Sequence, residues 1–182
     1  MFPFTLRKTK GSPLTHEEMD NNFEKSLFPP FLHIQDQKAQ GTDGGTFTSG
    51  AWQTRDLNTV LTNTISGASL EDNEITLPAG KYYVEASAPA RTIGTHQCII
   101  YNTTDSSIVL VGECAHSSHG TTYALTTSAV RGVFSLSLQK TIELRHQCNV
   151  TKSSDGQGRA CNFTTEVYSD IRIWRIGEYV AP

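Results

Sequence analysis

Alternation of apolar and polar residues runs through most of the chain after residue 31. It is clearest in VFSLSL (133–138) and TIELR (141–145). A period of two predicts strands with one buried and one solvated face, and no segment here carries a convincing helical period. Many short strands need two sheets to enclose a core, so the pattern predicts an all-β antiparallel sandwich. The clearest strand segments are 31–39, 51–64, 81–90, 96–104, 106–115, 128–138, 140–148 and 166–177.

The first thirty residues follow a different pattern. Thr15 and Glu18 have the spacing of a capping box, which predicts a helix over about residues 15–25. A helix of about ten residues is marginal alone, so we expect it to dock on this domain, on sister subunits or on a larger assembly. The chain is thus divided into an N-terminal arm (1–30) and a β domain (31–182). The anchoring candidates are Leu14, Thr15, Glu18, Met19 and Phe23.

Composition narrows the class of protein. Of the 182 residues 37% are hydrophobic and only 18% are charged, so Ser, Thr, Asn and Gln must supply much of the surface. This balance is typical of β-rich proteins outside the cell. The net charge of −3, with scattered basic residues, gives no nucleic-acid footprint. No apolar run reaches the length that spans a membrane, and the N-terminus does not read as a secretory signal.

Histidine and cysteine occur together twice, as HQC at 96–98 and at 146–148. On a strand the His and Cys of one tripeptide point to the same face, which could begin a zinc site. The four cysteines, however, are separated by 15, 33 and 12 intervening residues, which is not zinc-site spacing. His116 and His119 are expected in a solvated loop, and Asp43, Asp72 and Asp155 are isolated acids in separate loops. We therefore expect no zinc, calcium or other cofactor.

Disulfides are a second use of the cysteines. Cys98 and Cys114 flank the YNTTDSS hairpin, and Cys148 and Cys161 flank the loop NVTKSSDGQGRA. Either pair could meet across antiparallel strands, and each bond would contribute about 3 kcal/mol. Buried free thiols that pack as small hydrophobic groups are the alternative.

Catalytic signals are weak. The chain contains no G-x-S-x-G elbow, and no cysteine has the surroundings of a nucleophile. Glu71, Asp72, Glu74 and Glu85 are the candidate acids for glycoside cleavage, which needs two carboxyl groups facing one cleft. We expect them to be solvated edge charges, and we expect the protein not to be an enzyme.

Aromatic residues in the strands suggest an interface. Tyr168, Arg172 and Trp174 share one parity in EVYSDIRIW, and Ile171 and Ile173 share the other. If the isoleucines fill the core, the Tyr/Arg/Trp face points outward, and those residue types are enriched in protein interfaces. Tyr82 and Tyr83 are adjacent on one strand, so one should lie in the core and the other outside.

Several motifs resemble a known family. LPAGKYYVEASAPA (77–90), VRGVFSL, TIELRHQC and EVYSDIRIW resemble the complement/tumour-necrosis-factor-like jelly roll. The resemblance is closest to the version found in bacteriophage structural proteins, where WxTRDLNTV (52–60) precedes the LPAG motif. The opening KTKGSPLTHEEMDNNF (8–23) is similar to that of phage tail-fibre and related virion proteins.

The resemblance implies a ten-stranded sandwich that forms a homotrimer, packed by one sheet around a threefold axis. It also implies that the two HQC copies lie at opposite ends of the sandwich. On this basis the trimer-interface candidates are Tyr82, Tyr168, Arg172 and Trp174.

The expected function is a phage tail-fibre or receptor-binding tip that contacts host-surface carbohydrate. Its arm would bind other virion proteins, and the virion would assemble in the host cytoplasm and leave by lysis. We expect the polar loops 88–96, 115–122 and 149–160 to carry binding, although no individual ligand residue is predicted. The alternative is a capsid or tail decoration protein of the same trimeric fold that stabilises the particle. A polysaccharide-degrading enzyme ranks third.

Overall fold

The computed structural model describes residues 6–118 and 124–180. Two helices, α1 (Arg7–Lys10) and α2 (His16–Leu27), precede the strands. The strands of the described residues are β1 (Phe31–Lys38), β2 (Gln53–Thr54), β3 (Thr59–Asn63), β4 (Ser69–Glu71), β5 (Glu74–Leu77), β6 (Gly80–Arg91), β7 (Gly94–Asn102), β8 (Ser107–Val111), β9 (Ala115–Ser117), β10 (Leu125–Leu136), β11 (Lys140–Cys148) and β12 (Glu166–Gly177).

The strands form two antiparallel sheets, as the alternating pattern predicts. The front sheet has the order β10-β6-β12-β1-β3. The back sheet has the order β4-β5-β11-β7-β8, with β2 paired to β11 and β9 paired to β7. The longest ladder joins β6 to β10 over twelve residue pairs, from Gly80–Leu136 to Arg91–Leu125. The predicted antiparallel β-sandwich is confirmed.

The core lies between the sheets. Strands such as β1 and β5 contribute every second side chain to it, because successive residues of a strand point to opposite faces. Its apolar members include Leu32, Ile34, Val84, Ile100, Ile142, Leu144, Ile171 and Ile173. Fully burying such a side chain stabilises the fold by about 1.5–3 kcal/mol, so this cluster is the main source of stability.

An irregularity in β12 reverses part of the predicted facing pattern. Gln35 pairs with Asp170 and Gln37 pairs with Val167, so β12 advances three residues while β1 advances two. This β-bulge places both Tyr168 and Ser169 on the buried side. The prediction that Tyr168 faces outward is therefore wrong; its hydroxyl donates to the Thr42 carbonyl at 2.7 Å.

The two adjacent tyrosines of β6 divide between core and surface. Tyr82 is fully buried, stacks on Phe134 with ring centroids 5.5 Å apart, and donates its hydroxyl to the Pro78 carbonyl at 2.7 Å. Burial raises its pKa to about 12. Tyr82 is thus a core residue and not a trimer-interface candidate, while Tyr83 is the outward member of the pair.

The arm contains the predicted capping box. The Thr15 hydroxyl accepts from the Glu18 amide at 3.1 Å, and the Glu18 carboxylate accepts from the Thr15 amide at 2.8 Å. Helix α2 begins where the sequence predicts and runs two residues further. Met19, Phe23 and Leu27 form a stripe at four-residue spacing, and all three are exposed. Among the described residues, neither helix packs extensively on the sheets, and none is long and apolar enough to cross a membrane.

Candidate functional site

The two HQC tripeptides lie side by side. In the β7–β11 ladder His96 pairs with Cys148, Gln97 with Gln147, and Cys98 with His146. The expectation that they occupy opposite ends of the sandwich is wrong. One tripeptide lies near the start of β7 and the other ends β11, and in an antiparallel pair the start of one strand adjoins the end of the other.

The inner face of this double tripeptide is a buried imidazole pair. His96 Nδ1 lies 2.9 Å from His146 Nε2, and His96 Nε2 lies 2.8 Å from the Thr126 hydroxyl. The His146 ring also packs on Phe47, with centroids 4.7 Å apart. Both histidines and both cysteines of the tripeptides are buried.

The electrostatics of this face keep the imidazoles neutral. Burial, and secondarily the positive charge of Arg55, lowers the pKa of His96 to about 4 and holds that of His146 well below its ordinary value. Arg55 is itself fully buried; its Nε donates to Ser169 Oγ at 2.9 Å and its Nη2 to the Gln157 carbonyl at 3.0 Å. Burial lowers the pKa of Arg55 to about 10, so it remains charged at neutral pH.

The buried histidines and cysteines are not arranged as a set of metal ligands among the described residues. No group of three or more His, Cys, Asp or Glu side chains is placed to hold a metal within residues 6–118 and 124–180. The imidazole nitrogens that face each other form a hydrogen bond instead. Of the other candidate ligands, His119 lies outside the described residues, and the buried Asp155 forms an ion pair with Arg91.

All four cysteines are free, so neither candidate disulfide is present. Cys98 and Cys148 are buried, while Cys114 and Cys161 are exposed. Cys98 Sγ accepts from the Ser128 hydroxyl at 3.2 Å, and Cys148 Sγ donates to the Val150 carbonyl at 3.4 Å. The structure thus favours the alternative in which the two buried thiols pack as small hydrophobic groups.

The outer face of the same tripeptides lines a pocket of about 330 Å³. Gln97 and Gln147 point outward, opposite to their buried neighbours. The pairings of Gln53 with His146 and of Ala115 with His96 place Trp52 beyond Gln147 and Cys114 beyond Gln97. Among the described residues, the lining is formed by Trp52, Thr95, His96, Gln97, Cys114, Gln147, Cys148 and Asn149.

The four candidate catalytic acids do not all face one cleft. Glu85 accepts from the Tyr83 hydroxyl at 2.8 Å on the front sheet, whereas Glu71 pairs with Glu74 across the β4–β5 hairpin of the back sheet. Burial raises the pKa of Glu74, as does its hydrogen bond to Glu143. Glu143 is committed to structural contacts, since it accepts from the Thr54 hydroxyl at 3.0 Å and pairs with Arg145.

No protein-family model matches the chain, and no curated protein sequence matches it. Solved structures do. The globular domain of a zebrafish complement 1qA protein matches with a TM-score of 0.53 and 13% identity, over 84% of this chain and 100% of that domain. Murine APRIL, crystallised at pH 5.0, matches with a TM-score of 0.53 and 10% identity, over 81% of this chain and 99% of that one. The fold is a C1q/TNF-like jelly roll. Its prediction from the sequence is confirmed, and identities this low show the fold alone.

The front sheet of this C1q/TNF-like jelly roll presents the aromatic face expected from sequence, with altered membership. Trp174 and Arg172 face outward as predicted. Trp174 lies between Phe31 and Tyr83, with ring centroids 4.8 Å and 5.7 Å away. Sequence reasoning missed Phe31, although the alternation in FLHI, with Leu32 and Ile34 inward, places it on this face.

The three loops expected to carry binding are partly buried in this jelly roll, and Thr95, His96 and Asn149 of them line the pocket. Residues 88–94 are buried in β6, β7 and the turn between them. The 149–160 loop buries its segment 155–158, and a Cβ at Gly158 would meet the Tyr168 ring at 2.3 Å. Of the third loop, 115–118 includes β9 and 119–122 lies outside the described residues.

Proposed function

We propose that this chain forms the trimeric C1q/TNF-like head of a bacteriophage tail fibre or receptor-binding tip, which contacts host-surface carbohydrate without catalysis. The observation that carries the proposal is the outward face of the front sheet, where Phe31, Tyr83 and Trp174 form an aromatic ladder. A face with this composition suits burial against further copies of the chain. The resemblance of the arm to phage virion proteins supports the assignment to a virion, assembled in the host cytoplasm and released by lysis.

The charged residues around the ladder support a self-complementary contact. Asp170 accepts a hydrogen bond from Gln35 at 2.6 Å and forms an ion pair with Arg172 at 3.0 Å. Glu85, Arg131, Asp170 and Arg172 together line a depression of about 350 Å³. A surface that carries both signs of charge can meet an identical surface without net repulsion, and Arg, Tyr and Trp are the residue types that dominate interface energies.

Replacing the ladder should dissociate the trimer. Tyr83→Ala combined with Trp174→Ala removes two of the three aromatic rings, so we expect the mass in light scattering to fall from three copies of the 20.0 kDa chain to one. Trp52→Ala, which removes an aromatic side chain from the back sheet, serves as the matched control and should leave the trimer intact. A wild-type protein that is monomeric at micromolar concentration would refute the trimer.

The arm is proposed to attach the head to other virion proteins. The exposed stripe of Met19, Phe23 and Leu27 gives α2 an apolar face that the head leaves uncovered. A short helix of this kind gains stability when such a face is buried. The decoration-protein alternative rests on the same stripe, which could equally hold the head to a capsid or tail surface.

Adsorption of the purified protein to host cells distinguishes the receptor-binding function from the decoration function. Purified wild-type protein should bind host cells and reduce infection when added before the phage, because free trimers occupy the receptor. A decoration protein should do neither, yet its removal should lower the thermal stability of the particle. Release of reducing ends from host polysaccharide would identify an enzyme and contradict the binding proposal. Electron microscopy of labelled particles gives the location and copy number directly.

A further inference from the structure

The pocket over the double HQC tripeptide faces away from the proposed trimer contact. It opens on the outer face of the back sheet, whereas the aromatic ladder lies on the outer face of the front sheet. These two faces are on opposite sides of the sandwich. A trimer packed through the front sheets would therefore leave three copies of the pocket open to solvent.

Polar groups with unused hydrogen-bonding capacity converge on this pocket. Gln97 Nε2 donates to the Gly112 carbonyl at 2.8 Å, which orients this amide; its side-chain oxygen has no hydrogen-bond partner within residues 6–118 and 124–180. The Asn149 side-chain oxygen accepts from the Thr95 amide at 2.9 Å, and the Asn149 NH₂ group has no partner in the same part of the chain. The side-chain amide of Gln147, which lies on the strand beside Gln97, also has no hydrogen-bond partner among the described residues. The pocket thus offers acceptors and donors side by side, next to the indole of Trp52.

The lining also restricts the class of ligand. None of the lining side chains within the described residues is Lys, Arg, Asp or Glu, and the one histidine among them, His96, is buried and bonded to His146. A charged ligand would find no opposite charge here. The volume of about 330 Å³ lies at the small end of the range of ligand sites, which is about 300–1,000 Å³. A sugar ring is a ligand of this class, because it is small, neutral and rich in hydroxyl groups.

We propose that this pocket binds one neutral pyranose unit of a host glycan. The Trp52 indole packs on the apolar C–H face of the ring, and the amides of Gln97, Gln147 and Asn149 exchange hydrogen bonds with its hydroxyls. The proposal rests on the proposed function, in that the chain contacts host carbohydrate. A single site of this size is weak, and three on one trimer raise the apparent affinity by avidity.

Adsorption of variants to host cells is the first test. Trp52→Ala should weaken binding about tenfold per site, the worth of a lost stacking contact, and Gln147→Ala should weaken it by a similar factor. The matched aromatic control is Phe163→Ala, because Phe163 is 87% exposed and lies outside the pocket. If wild-type protein adsorbs and both pocket variants adsorb equally well, the pocket is not the site, although the proposed function stands.

Protection of a thiol is the second test and needs no host cell. Cys114 lines the pocket, whereas Cys161 is exposed elsewhere and gives an internal reference in the same molecule. The probes are free glucose, galactose, mannose and N-acetylglucosamine, with glucuronic acid as the charged comparison. At least one neutral sugar should slow iodoacetamide labelling of Cys114 relative to Cys161, and Trp52→Ala should abolish the protection.

The two tests distinguish failure of the pocket proposal from failure of the proposed function. If no sugar changes the rate of Cys114 labelling relative to that of Cys161, the pocket proposal is overturned, even where wild-type protein adsorbs to cells. Protection by a neutral sugar in a protein that does not adsorb upholds the pocket and overturns the receptor-binding function. Protection by glucuronic acid alone contradicts the neutral class of ligand.

Discussion

Arg55→Ala is expected to destabilise the protein by about 3–5 kcal/mol. The guanidinium is fully buried, and its loss leaves the Ser169 hydroxyl and the Gln157 carbonyl without their donor and a cavity at the polar end of the core. It also removes the positive charge that favours the ionised form of the buried Asp36. Urea unfolding at pH 7, at a fixed protomer concentration because the fold is proposed to be a trimer, measures the loss.

Two variants show which part of Arg55 matters. Arg55→Met retains most of the volume and loses the two hydrogen bonds, so about 1–3 kcal/mol should be lost. Arg159→Ala is the control, because this side chain is 61% exposed and its ion pair with Asp155 should be worth less than about 1 kcal/mol. An Arg55→Ala protein as stable as Arg159→Ala would show that the buried guanidinium is not a structural element.

Mild acid is expected to destabilise the protein through His96 and His146. Their pKa values are lowered in the folded protein, so the folded state resists protons that the unfolded chain accepts at its ordinary pKa of about 6.5. The stability from the neutral imidazoles is therefore fully present above pH 6.5 and is lost as the pH falls towards 4. Each histidine adds a slope of up to about 1.4 kcal/mol per pH unit.

Urea midpoints between pH 7 and pH 5 cover the range in which this effect is expected, and most carboxyl groups titrate below that range. The double variant His96→Gln with His146→Gln should be less stable at pH 7 and should lose most of the slope. His16→Gln changes an exposed residue of α2 and should leave the wild-type slope unchanged. A double variant with the wild-type slope would mean that other groups sense the acid.

The sequence predicts those parts of the fold that depend on local pattern. Alternation in TIELR identifies the side chains that enter the hydrophobic core, since Ile142 and Leu144 of β11 both belong to it. The capping box of α2 is equally local and is present as predicted. The prediction that Tyr168 faces outward fails because one extra residue in β12 reverses which side of the sheet the neighbouring side chains face. No residue type in EVYSDIRIW indicates the position of this β-bulge.

The candidate site was harder to predict because it depends on which strands are neighbours. Periodicity places Gln97 and Gln147 on strands but does not say that β7 and β11 adjoin. The resemblance to jelly rolls placed them apart, and the hydrogen-bonded ladder brings them together. Trp52 joins them only through the two-residue strand β2, which is too short to leave a periodic signal. The pairing of strands that are distant in sequence therefore determines which residues line the pocket.

The two outward faces of the sandwich are built from separate sets of strands. The aromatic ladder uses β1, β6 and β12, whereas the pocket uses β7 and β11 with the segments beside β2 and β9. If the proposed trimer contact and the proposed sugar site are both correct, a substitution at one of them changes no strand that carries the other. Such a molecule could then change the target that it recognises, through substitutions at a few back-sheet positions, without altering the contact between its subunits.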